Sequence, residues 1–237
     1  MSDTQRDFVF HRAIQLGVIL VVGCCLISQV MMQLGGGARD EPIDLRDQVP
    51  DDFDDEGLVF EDGFPPFISS AGAFMPEKIV FNIGLFGGGL MMIFLSFEIF
   101  HRTNPEGKKR KVCNVVALVS GIIIGFSMMQ IVAHPFNTSI IMHIFWAMNI
   151  FWCAQIWIGT LAYARGEIDA EVNWRGRSIN RIRWTTFAVA IFSFQAMTLL
   201  VATGHLVESA ILEWTLTFSA EAMMLTMIPT ITNAASA

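Results

Sequence analysis

Charged residues are absent from long stretches of the chain and crowded into the segments between them. Positions 13–34, 79–97, 112–133, 138–164 and 184–207 hold no Asp, Glu, Lys or Arg, and 214–237 holds only Glu221. About 20 apolar residues at 1.5 Å each cross the ~30 Å hydrocarbon layer, and each stretch reaches that length. None alternates with the two-residue period of a membrane barrel strand. The pattern therefore predicts an all-α membrane protein, a six-helix transmembrane bundle with spans at 13–34, 79–100, 112–133, 138–162, 184–207 and 211–232. Between them lie one large loop, 35–78, and two basic loops, 101–111 and 163–183, with short ends at 1–12 and 233–237.

Composition agrees: 53% of the 237 residues are apolar and 16% charged, which excludes a disordered tail or a nucleic-acid binder. The net charge of −7 hides a separation of signs. Arg6, Arg12, Arg102, Lys108, Lys109, Arg110, Lys111, Arg165, Arg175, Arg177, Arg181 and Arg183 flank one end of the spans; Arg39, Arg46 and Lys78 flank the other. Basic residues in short loops stay in the cytosol, so both termini are expected there and the acidic 35–78 loop in the lumen or outside the cell. Gly35, Gly36, Gly37 and Ala38 imitate a signal-peptide cleavage site, but the preceding 22-residue run is too long for a usual signal core. Cys24, Cys25, Cys113 and Cys153 all sit in or beside spans, leaving the loop without a disulfide framework.

The loop's first half is a run of acids, expected to be solvated. Asp52, Asp54 and Glu56 imitate a calcium loop, yet its twelfth position is Gly63, where a bidentate Glu is needed. The second half, 64–77, is apolar and turn-rich and joins the second span directly. It is expected to fold over the bundle mouth. The turns at 134–137 and 208–210 make antiparallel hairpins of spans three and four and of five and six. Small residues spaced four apart, Gly84 and Gly88 in the second span and Gly121 and Gly125 in the third, suggest a close helix contact.

An ionisable residue inside a span is costly and faces the bundle interior. Glu221 is the clearest case, with Glu213 two turns toward the lumen and Asn149 or Gln195 as expected partners. His143, His205 and His134 share the lumenal level with Glu208 and Glu213, a set suited to a polar headgroup site or a pH-sensitive latch. No HExxH or other local ligand pair is present, so neither metal nor cofactor is expected. Lys108, Lys109, Arg110, Lys111, Arg181 and Arg183 form juxtamembrane clusters of the kind that contact anionic lipid.

Six spans, one large first exported loop and two local signatures resemble the damage-regulated autophagy modulator (DRAM) family and its Frag/Sfk relatives. The signatures are Pro66, Phe67, Ile68 and Ser69 followed by Gly72, Pro76 and Glu77, and Ser219, Ala220, Glu221 and Ala222 in the sixth span, with His143 as a further polar position. The resemblance implies a multi-pass protein of endolysosomal, Golgi or plasma membrane, and without a recognisable nucleophile–base pair the leading reading is non-enzymatic. Such a protein senses or organises lipid and modulates autophagy, lysosomal or phosphoinositide signalling, with membrane lipids and a phosphoinositide-kinase or autophagy-machinery protein as partners. Two alternatives stand beside it. One is GPI-lipid remodelling or another acyl transfer, with His143 as base and Glu221 or Glu213 orienting it. The other is a proton-coupled transporter using Glu221, against which count the lack of an internal repeat and of a mid-span proline.

Overall fold

A backbone amide cannot be left unpaired in hydrocarbon, so uninterrupted apolar runs close their hydrogen bonds internally as helices. The computed structural model, which describes residues 3–35, 42–50 and 56–234, is accordingly mostly helical. Six helices are long and apolar enough to cross a membrane: Gln5–Gln33, Glu77–Arg102, Lys108–Ala133, Ile140–Arg165, Ile179–Ala202 and Leu206–Thr230, called first to sixth below. One end of the bundle carries the 35–78 loop and the other the two basic loops.

The first helix starts well before position 13. Its opening turns are held because Phe10 and Ile14 are buried, Asp7 pairs with Arg102 at 2.6 Å, and that guanidinium lies 4.5 Å from the Phe10 ring centre. A π-helical turn, Ile19–Gly23, interrupts the same helix. The sixth helix breaks at Thr226 into Leu206–Leu225 and Met227–Ala234, with Pro229 in the opening turn of the second piece, where its missing N–H costs nothing. The turn before the sixth helix falls at 203–205 rather than 208–210. Gly204 there takes φ of +77°, the left-handed conformation that ends a helix.

The glycine contact is also shifted. A Cβ on Gly89 would lie 2.5 Å from the Gly125 carbonyl oxygen, and one on Gly125 would lie 2.5 Å from that of Gly89, so the second and third helices meet backbone to backbone at this pair. Gly84 faces Leu20 and Cys24 of the first helix, Gly88 faces both Val21 of the first and Met128 of the third, and Gly121 faces Ser96 of the second. Successive helical residues turn by about 100°, so adjacent glycines in the 87–89 run address different neighbours.

The loop end carries a small folded cap. Strand β1, Ile43–Asp44, pairs antiparallel with β2, Val59–Phe60, and Leu45, Phe64, Ala73 and Ile140 are buried beneath them. Ordered backbone thus extends into the half of the loop that composition reads as solvated, because Ile43, Leu45 and Val49 interleave with the acids and pack inward. The calcium-like run 52–55 and the small residues 36–38 lie outside the described residues. The Gln48 amide donates to the Asn137 carbonyl, clipping the cap to the turn between the third and fourth helices. Asp44 is held from its usual 3.8 down to about 2, first by the side-chain hydrogen bond from Arg46 and then by that residue's backbone N–H. A lowered carboxyl contributes fully above its unfolded value and is lost only as pH falls through the folded one. The pair is therefore expected to survive pH 5 intact, and NMR titration of the Asp44 carboxyl should give a midpoint near 2; a midpoint near 4 would show the pair unformed.

Candidate functional site

Glu213, Thr217 and Glu221 are spaced four apart on the sixth helix, which places them along one face. That face lines an internal cavity of about 110 Å³. Opposite walls come from the first helix (Val21, Cys25), the second (Phe81, Leu85), the third (Met128, Ile131) and the fourth (Phe151, Trp157); the fifth contributes nothing. The space exists because small residues, Gly17, Gly88, Ala147, Ala154 and Ala220, point inward between the large ones.

The cap closes the loop end of this cavity through Ile68 and Ser69. The Ile68 N–H donates to Glu213 Oε2 at 2.7 Å, and the Gln29 amide of the first helix donates to the Phe67 carbonyl. Gly72 is the fit point against the second helix, since a Cβ there would strike the Phe81 ring at 2.5 Å. Pro66 and Pro76 bracket the segment; Glu77 opens the second helix and is fully buried.

A family model described as Frag1/DRAM/Sfk1/Cwh43P N-terminal domain matches residues 47–231, well over half of the chain. The chain belongs to this family. No curated protein and no solved structure gives a significant match. Within the Frag1/DRAM domain fall the 66–77 segment, Glu213 and Glu221, while the first helix, which precedes the matched residues, still supplies one cavity wall.

The other sequence-predicted polar residues of this Frag1/DRAM chain do not join the cavity. His143 is 2% exposed. Its Nδ1 donates to the His134 carbonyl at 2.8 Å, its ring meets Phe136 edge-on, and its buried Nε2 has no hydrogen-bond partner among the described residues. It belongs to the packing under the cap, and among the described residues its side chain makes no hydrogen bond or ion pair to a carboxylate, the pair that acyl transfer asks for. His205 is exposed, 3.8 Å from Glu208. Neither expected partner reaches Glu221: the Asn149 amide donates to the Phe145 carbonyl of its own helix at 2.9 Å, and Gln195 is exposed.

At the basic end, Lys108, Lys109, Lys111 and Arg181 are exposed. Arg110 folds back, donating to the Tyr163 carbonyl, pairing with Glu167 at 2.8 Å and lying over the Tyr163 ring at 4.6 Å. Arg183, expected to contact anionic lipid, is corrected by its burial: it is 0% exposed. It donates to Asp169 Oδ2 at 2.6 Å and to the Thr226 hydroxyl at 2.9 Å. Asp169 also accepts two hydrogen bonds from Arg165, at 2.6 and 2.8 Å, and Arg165 reaches Thr103 at 3.0 Å. This buried Arg–Asp–Arg triad ties the ends of the second, fourth, fifth and sixth helices. Sequence reading missed it because charges in a basic loop are read as solvated; the i, i+4 spacing of Arg165 and Asp169 was the available signal.

Proposed function

We propose that this Frag1/DRAM-family membrane protein admits the end of one lipid chain into its bundle cavity and, by doing so, senses or organises membrane lipid to modulate autophagy, lysosomal or phosphoinositide signalling. One observation carries the reading: an apolar cavity walled by five helices, whose two acids, Glu213 and Glu221, come from one helix and whose mouth is closed by the 66–77 segment. Ligand pockets share this make-up, mostly hydrophobic walls with a few placed polar groups, and at about 110 Å³ this one has room for a few methylenes of one chain. In this reading the cap faces the lumen or the cell exterior, in an endolysosomal, Golgi or plasma membrane. The exposed Lys108, Lys109, Lys111 and Arg181 face the cytosol, where they meet anionic lipid or a partner of the kinase or autophagy machinery.

Native mass spectrometry of the purified protein tests the reading. Wild type is expected to carry co-purified lipid, and Ala220→Phe, which fills the cavity from the sixth helix, to lose most of it while keeping its fold. Equal lipid on both would remove the cavity as the site. Replacing Lys108, Lys109 and Lys111 with Gln should weaken enrichment of anionic lipid by about 1 kcal/mol per lysine and leave the cavity lipid in place; unchanged enrichment would show that these lysines serve orientation alone.

A further inference from the structure

We propose that the polar pocket between the end of the second helix and the start of the third seats the head of an anionic phospholipid that carries hydroxyl groups, with its phosphate at Lys111 and a hydroxyl on Asn114. The proposal deepens the anionic-lipid part of the reading above and rests on it. The pocket holds about 370 Å³, and His101, Thr103, Asn104, Lys111 and Asn114 are its polar walls. It adjoins a groove that shares Lys111 and Val115 with it, begins at Gly107 and Lys108 and continues along Val112 and Val116. No Asp or Glu lines either space.

Two features favour a phosphate here, and a third favours a hydroxyl. The third helix opens at Gly107 with no side-chain cap and no acid in its first turn. Its free N–H groups and the positive end of its dipole therefore meet Lys108, Lys109, Arg110 and Lys111, an unfavourable meeting that an anion relieves. Behind the pocket, Arg165 donates to Thr103 Oγ1 at 3.0 Å. Arg165 and Arg183 share the single carboxylate of Asp169, which leaves one buried positive charge that this carboxylate does not cancel. Asn114, 5% exposed, gives its amide N–H groups to the Phe100 and Thr103 carbonyls at 3.1 and 2.6 Å. Its buried Oδ1 has no hydrogen-bond partner among the described residues. An acceptor in that state needs a donor. A hydroxyl supplies one without bringing an ammonium to a wall that is already positive. A phosphoglycerol head has about ten non-hydrogen atoms, which at ~30 Å³ each, the share of a water molecule in the liquid, need at most about 300 Å³. The head fits, and its acyl chains stay in the bilayer against the exposed Val112 and Val115.

Phosphatidylglycerol and phosphatidylmethanol with matched chains test the head-group choice, since both carry one negative charge and only the first has free hydroxyls. They are offered together, in equal minor amounts, to the protein in phosphatidylcholine nanodiscs, and the lipids retained on release are read by native mass spectrometry. Wild type is expected to retain phosphatidylglycerol about fivefold better than phosphatidylmethanol, the worth of one hydrogen bond, and both better than phosphatidylcholine. Because Asn114 also holds two carbonyls, the variant is placed beside it: Val115→Phe fills the pocket from an exposed position, with its melting temperature checked alongside. It is expected to retain the two anionic lipids equally. Equal retention of the two by wild type, above phosphatidylcholine, would overturn the pocket proposal and leave the lysines' contact with anionic lipid standing. Retention of neither above phosphatidylcholine would remove both. A phosphatidylglycerol preference that persists in Val115→Phe would place the hydroxyl elsewhere and overturn the proposal.

Discussion

Asp169→Ala is expected to destabilise the protein by about 3–5 kcal/mol, because it strands two buried guanidinium groups without a counter-charge. The Arg165 and Arg183 side chains are 6% and 0% exposed, and that of Asp169 is 2%. Neither arginine has room to swing to solvent without opening the junction with Thr103 and Thr226. Asp169→Asn keeps an acceptor oxygen but loses the charge, and should fall between wild type and Ala. Unfolding followed by intrinsic fluorescence at constant detergent composition reads the difference; a loss below about 1 kcal/mol would mean that the triad is solvated like an ordinary surface pair.

Gly125→Leu is the second large effect, expected to cost about 3 kcal/mol. A Cβ at this position meets the Gly89 carbonyl oxygen at 2.5 Å and the Ile93 side chain at 2.7 Å. Backbone on one side cannot yield by changing rotamer, so the second and third helices must separate. Their separation would also disturb the cavity wall, since Leu85 and Gly88 lie on one helix and Ile124 and Met128 on the other. Gly23→Leu is the matching control, because its Cβ meets only the Ile19 side chain at 3.8 Å. The same unfolding measurement should find the Gly125 variant impaired and the control near wild type; similar values for the two would refute the backbone contact.

Helix existence was legible because it depends on one coarse property, the length of an uncharged run against the thickness of hydrocarbon. Helix ends were less so. Asp7 and Arg102 cancel each other across two helices, a pairing invisible along one dimension, so the first helix runs on through residues that composition assigns to water. Gly84, Gly88 and Gly89 show the same limit at finer scale: which glycine faces which neighbour depends on the rotation of each helix, and one residue of offset sends it to a different partner. In the site, Glu213 and Glu221 were legible as polar groups that must face inward, and the 66–77 segment as a turn-rich apolar stretch beside the bundle mouth. His143 was grouped with them by depth alone. Depth does not fix azimuth, and its ring points under the cap toward Phe136 rather than into the cavity. The triad escaped notice for the complementary reason: Arg183 and Asp169 sit where charge is normally free, and only tertiary packing buries them.

The cavity as a lipid site is the central claim, and photo-crosslinking with a diazirine-bearing fatty alcohol in nanodiscs, followed by peptide mapping, tests it most directly. Adducts are expected on peptides holding the inward residues Met128, Phe151 and Leu216, and they should diminish in Ala220→Phe. Adducts confined to outward residues such as Phe192, Leu199 and Ile211, which are 69%, 64% and 63% exposed, and unchanged by Ala220→Phe, would contradict it.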